Sequence, residues 1–133
     1  MKYFLTLLII SGFLLAYEID FAEAKKVNGI YELPIKIKAE EDYVALQFKI
    51  KYDQGLKFEG LEWGDITKGS LNALNDKIPN EIRGAIASAT PLPREGTICT
   101  LKFSGSGEVK IEEFLINDKS AKLLKEKVVL KKK

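Results

Sequence analysis

Apolar and polar residues alternate one by one through most of this chain, and this period of two constrains its fold more than any other feature. The segment at 43–52 reads YVALQFKIKY, and its alternate residues Leu46, Phe48 and Ile50 share one face. Successive side chains of a β-strand point to opposite faces, so this pattern predicts half-buried strands. No long segment after residue 16 has a convincing helical period, and we therefore expect no helical layer.

The alternating pattern recurs in short segments separated by turn-forming Gly, Pro, Asn and Asp. We predict strands at 17–21, 30–38, 43–52, 56–63, 81–89, 97–103, 109–116 and 127–130. The segment at 71–78 fits either a short strand or a turn of helix, and the composition of 121–127 also suits a helix. Eight or nine short strands predict an all-β antiparallel sandwich, in which two half-apolar sheets cover each other.

The first sixteen residues have the pattern of a secretory signal peptide. Lys2 precedes an apolar run at 3–15, and Ala16 is a small residue at a suitable cleavage point. As a helix the run would span roughly 20 Å, short of the roughly 30 Å hydrocarbon core, so we prefer cleavage to a permanent anchor. Cleavage after Ala24 also fits the small-x-small rule, but it would remove the predicted strand at 17–21. We therefore expect a mature domain at 17–133, secreted or held in the periplasm or cell envelope.

Most chemistry-bearing side chains are missing or isolated. The chain has no His and one Cys, so it lacks the usual general base and cannot form a disulfide framework or a Cys-cluster zinc site. Cys99 shares its phase with Leu101 and Phe103, which predicts a buried side chain rather than a reactive thiol. We find no nucleotide-binding, metal-ligand or nucleophile motif. The sequence predicts a binding module without catalytic residues, metal or cofactor.

Glu112 and Glu113 are the paired carboxylates closest to a glycosidase arrangement. A glycosidase needs two carboxyl groups that face each other across a sugar. Neighbouring residues of a regular strand point to opposite faces, so we expect this pair to be unable to act together.

Charge is unevenly distributed. Residues 122–133 contain six Lys and one Glu, a net charge of +5, whereas 17–121 contain 14 basic and 18 acidic residues, a net charge of −4. The basic end is either a solvated terminus that keeps an edge strand soluble or a contact to an anionic surface. Nucleic acid is not an expected partner, because the acidic body would repel phosphate.

The order and spacing of the motifs resemble those of the cohesin family. The resemblance lies in ALQFKIKYDQGLKFEGLEWGD at 45–65, EIRGAIASATPLPREGTICTLKF at 81–103, GEVKIEEFLIN at 107–117 and the last strand at 126–131. It implies a nine-stranded jelly roll and a non-catalytic module. In that family the module captures a dockerin in extracellular, cellulosome-like assemblies that degrade plant polysaccharide.

The resemblance also implies a dockerin-binding face, formed by the strands at 43–52, 71–78, 82–89 and 109–116. The outward candidates for partner binding are Gln47, Lys49, Lys51, Arg83 and Glu112. Dockerin-binding cohesins tend to place Asn and Asp near the start of the strand that holds Ala45 and Gln47 here. The resemblance therefore supports the cohesin fold more strongly than it supports a dockerin partner.

Two other functions stay open. One is a carbohydrate-binding module of the same fold, with Trp63 and Tyr43 as a stacking platform, although packing in or beside the core is the preferred interpretation of both rings. The other is a structural component of a cell-envelope assembly, held to an anionic surface by its basic end.

Overall fold

The computed structural model describes residues 16–131, and strands account for most of them. Residues 1–15 of the predicted signal peptide at 1–16 and the last two lysines lie outside the described residues. Among the residues described, no helix is long and apolar enough to cross a membrane.

The described chain contains twelve strand segments and one short 3-10 turn at Asp65–Thr67. The segment at 71–78 contains a strand at Leu71–Asn75, and 121–127 contains a two-residue strand rather than a helix. Three of the twelve, Lys25–Val27, Lys119–Ser120 and Lys122–Leu123, are only two or three residues long. The strands are β1 (Tyr17–Phe21), β2 (Lys25–Val27), β3 (Ile30–Ala39), β4 (Ala45–Tyr52), β5 (Leu56–Trp63), β6 (Leu71–Asn75), β7 (Glu81–Ala87), β8 (Glu95–Gly105), β9 (Gly107–Ile116), β10 (Lys119–Ser120), β11 (Lys122–Leu123) and β12 (Lys127–Leu130).

These strands form two six-stranded sheets. Sheet one has the order β11-β1-β3-β8-β5, with β2 paired to β3. Sheet two has the order β10-β9-β4-β7-β6, with β12 paired to β9. The described pairs are antiparallel apart from β1 and β11, which run parallel. The predicted all-β antiparallel sandwich is confirmed.

The inward rows of both sheets meet in one hydrophobic core. Sheet two contributes Phe48 and Ile50, and sheet one contributes Leu101 and Phe103; all four are buried. The ring of Phe48 stacks on that of Phe114 from β9, with centroids 5.4 Å apart. Burying such side chains gives roughly 1.5–3 kcal/mol each, and this burial holds the two sheets together.

Gly84 is a packing requirement of this core. It lies on β7 directly opposite Phe48 on β4, and a Cβ at this position would overlap the Phe48 ring. The outward neighbour Ala85 is exposed and has no such constraint.

We predict that Gly84→Ala lowers the free energy of unfolding by about 1–2 kcal/mol, because the Phe48 ring must shift to admit the methyl group. The matched variant Ala85→Ser on the exposed face should change it by no more than about 0.5 kcal/mol. Urea denaturation measures both. A Gly84→Ala protein as stable as the wild type would contradict the packing of Phe48 against the glycine backbone.

Candidate docking face

The five predicted partner-binding residues come together on the outer side of sheet two. We call the outward side chains of β4, β6, β7 and β9 the docking face. Lys49 lies directly opposite Arg83 on β7 and Glu113 on β9. Gln47 lies two residues along β4 from Lys49 and opposite Ala85.

One half of the docking face is charged. Glu112 pairs with both Lys49 and Lys51, whose Nζ atoms each lie 3.5 Å from its carboxylate oxygens. The Nε of Arg83 donates to Glu81 Oε2 at 2.8 Å. The two Glu112 pairs are exposed and contribute only about 0.2–1 kcal/mol each, and in the third pair Glu81 is buried while Arg83 is half exposed. Their main effect is to fix where positive and negative charges lie on the face.

The expectation that Glu112 and Glu113 point to opposite sides is wrong. Lys49 pairs with Glu113, but the next residue, Ile50, pairs with Ile111, so Glu112 is an extra residue on β9. Such a β-bulge places two residues against one and redirects a side chain. Both glutamates are exposed, and Glu112 joins the outward lysines of β4. Nothing in the local sequence marks the bulge, because GEVKIEEFLI contains no glycine at the inserted position.

The other half of the docking face is apolar, and sequence reasoning missed it. Outward pairs there join Ala45 to Ala87 and Ala73 to Ala85. Leu71 lies opposite Ala87 at the edge of the sheet and is 79% exposed. The available signal was the alternation of β7, which places small apolar residues at its outward positions.

The outer face of sheet one is different in kind. Opposite charges lie directly across its strands, as in Glu18 with Lys38 and Asp20 with Lys36. Lys102 on β8 also bridges Glu62 on β5, with Nζ and Oε2 3.4 Å apart. Opposite charges directly across neighbouring strands favour the sheet and make its outer face polar. In the described part of the chain, the exposed apolar area of sheet two therefore has no counterpart across the middle of sheet one.

The predicted sugar platform of Trp63 and Tyr43 is contradicted by the positions of both rings. Tyr43 is 1% exposed, its hydroxyl donates to the Pro93 carbonyl, and burial raises its pKa to about 12. Trp63 pairs with the buried Cys99 and packs against the core, where its ring is tilted against Phe48. A stacking platform needs exposed, coplanar rings, which these residues do not provide.

Cys99 lies in the core, as predicted. It is fully buried, and desolvation raises the pKa of its thiol. The thiolate is the reactive form, so burial keeps this side chain inert. Within residues 16–131, no cluster of His, Cys, Asp and Glu is arranged to hold a metal ion.

The two sheets form an antiparallel sandwich, and the outer face of sheet two has one charged half and one apolar half. No family model matches the chain, and no curated protein matches it. Solved structures do match. They include a non-cellulosomal cohesin from the hyperthermophilic archaeon Archaeoglobus fulgidus, with 21% identity and a TM-score of 0.67 over 80% of this chain and 83% of that one.

Cohesin modules from Acetivibrio cellulolyticus match at similar strength. The second type II cohesin module of its ScaA scaffoldin is 14% identical, with a TM-score of 0.69 over 89% of this chain and 92% of that one. A type II cohesin solved in a Cohesin-X-Dockerin complex is 13% identical, with a TM-score of 0.62 over 81% of this chain and 93% of that one. This chain therefore has the cohesin fold.

Proposed function

We propose that the chain is an exported, non-catalytic module that captures a protein partner on its docking face, and that the partner is dockerin-like. The observation that carries this proposal is a difference between the two outer faces. Among the described residues, the outer face of sheet two exposes an apolar area beside a charged one, whereas charged pairs lie across the outer face of sheet one. The cohesin fold supports it, as does the solved neighbour whose structure is a Cohesin-X-Dockerin complex.

The two halves of the docking face suit two parts of recognition. Small outward side chains at Ala45, Ala85 and Ala87 leave the backbone close to the surface, which lets a partner approach closely. Apolar contact of this kind supplies affinity at the centre of an interface. Fixed charges such as Arg83 and Glu112 select the partner and its orientation.

The experiment compares wild type with Ala85→Arg in binding to a panel of purified recombinant dockerin modules by biolayer interferometry. The matched control, Thr100→Arg, adds the same side chain to the middle of sheet one, where Thr100 lies between Pro34 and Glu62. We expect at least one dockerin to bind wild type, Ala85→Arg to weaken it at least about tenfold, and the control to change it less than about twofold.

Two results would contradict this proposal in different ways. Equal weakening by Ala85→Arg and Thr100→Arg would remove the outer face of sheet two as the docking site. If no dockerin in a broad panel bound the wild type, the dockerin-like partner would be wrong, whatever the role of the face.

Export with cleavage after Ala16 is part of the same proposal. Tyr17, Ile19 and Phe21 of β1 are buried, and β1 pairs with β3 along its whole length. Cleavage after Ala24 would discard this strand with its buried side chains and leave one edge of β3 unpaired. The core therefore favours a mature chain that begins at Tyr17.

We predict that the product secreted by a bacterial expression host begins at Tyr17, as read by intact-mass measurement. An Ala16→Lys variant should block processing and leave the precursor mass, because signal cleavage needs a small residue there. A secreted product that begins at Lys25 would show cleavage after Ala24 and would contradict the proposal.

A contact to an anionic surface is a second candidate function, because the fold brings a lysine of β2 close to Lys131. The hydroxyl of Tyr31 donates to the Lys131 carbonyl, and the Nζ of Lys26 lies 5.2 Å from the centroid of the Tyr31 ring. Lys26 of β2 therefore lies near Lys131. Clustered lysines near an anionic lipid surface contribute about 1 kcal/mol each.

For this candidate, we predict sedimentation of the protein with vesicles of phosphatidylserine and phosphatidylcholine at low salt. Binding should fall when residues 131–133 are removed, and it should fall again when salt is raised, because screening weakens such contacts. Vesicles of phosphatidylcholine alone provide the control. Binding that is absent, or unchanged by truncation and by salt, would contradict the anionic contact.

A further inference from the structure

β6 is an outer strand of sheet two, and it lacks any device that protects an exposed edge. It pairs with β7 on one side, in continuous register. Its sequence, LNALN, contains no charge and no proline, and all five residues are exposed. A strand of this kind presents a row of unpaired N–H and C=O groups, which is a template for another strand.

The other outer strands of the described chain are protected. β5 carries Lys57, Glu59 and Glu62 and has an irregular register between Phe58 and Gly60. β10 and β11 are two residues long, and β2 has three residues, two of them lysines. β12 begins with a lysine and is followed by another. Charge, shortness and bulges are the usual means of blocking edge pairing, so β6 stands apart.

We propose that β6 pairs antiparallel with β6 of a second copy of this chain, so that sheet two continues across a twofold axis. In a register centred on Ala73, each Ala73 faces its equivalent, and Leu71 faces the second copy's Asn75. No charged side chain is then opposed to a like charge. An antiparallel pair of this length adds about four to six backbone hydrogen bonds.

Two properties of β6 favour its pairing with β6 of a second copy. It is neutral, so a neutral copy meets it without the cost of desolvating a charge. Its outward residues Leu71 and Ala73 belong to the apolar half of the docking face, and a twofold axis perpendicular to the sheet keeps outward side chains outward. Pairing would place the second copy's Asn75 beside the exposed Leu71 and join two docking faces into one. This inference does not depend on the identity of any partner.

Disulfide trapping tests the register directly. Opposed residues in an antiparallel pair have Cα atoms about 4.5–5.5 Å apart, within the range that a disulfide spans. We expect Ala73→Cys to form a covalent dimer under mild oxidation, seen on a non-reducing gel. Cys99 is fully buried and does not compete.

Ala85→Cys is the matched control, because Ala85 is exposed on the same face and lies opposite Ala73 on β7. In the proposed dimer the two Ala85 residues are three strand spacings apart, about 14 Å, and cannot be bridged. Trapping at Ala85 as fast as at Ala73 would overturn the edge-to-edge register.

Analytical ultracentrifugation of the wild type, over about 10 µM to 1 mM, should show a monomer–dimer equilibrium. Ala73→Lys places two like charges opposite each other at the axis and should weaken dimerisation at least about tenfold, whereas Thr100→Lys should not. A wild-type protein that stays monomeric throughout this range would overturn the proposal. Its failure would leave dockerin capture by a single module unaffected.

Discussion

Burial of the inward rows between the two sheets is the interaction on which the rest of this structure depends. Leu46, Phe48 and Ile50 of β4 can point inward only if Gln47 and Lys49 point outward, because the side-chain period is two. The core therefore decides the composition of the docking face. A one-residue slip of β4 would bury its charged side chains without partners, which costs free energy because unpaired charges would leave water.

The strands with one buried face could be predicted from the sequence, because alternation reports which face is buried. β4, β5 and β9 fall within a few residues of their predicted bounds. β6 could not be assigned, because a strand exposed along its whole length has no reason to alternate. The bulge at Glu112 was also beyond prediction, since it depends on pairing between β4 and β9 rather than on local residue preference.

The charged half of the docking face could be predicted from the sequence, whereas the apolar half was not predicted. Lys49, Lys51 and Arg83 stand out because they are charged residues that alternate with core residues along their strands. Alanines at outward positions, such as Ala85, resemble ordinary strand residues until the neighbouring strands place them side by side. The cohesin fold explains the framework, but fold alone does not fix function, and the case for partner capture depends on this face.

Measurement of the register between β4 and β9 tests the described docking face most directly, because this register determines which charged side chains lie on that face. Nuclear Overhauser effects measured across the two strands by NMR would read it. We predict contacts of Lys49 with Glu113 and of Ile50 with Ile111, with Glu112 left as the extra residue. Contacts of Ile50 with Glu112 in an unbroken register would return the two glutamates to opposite faces and contradict the arrangement described for this site.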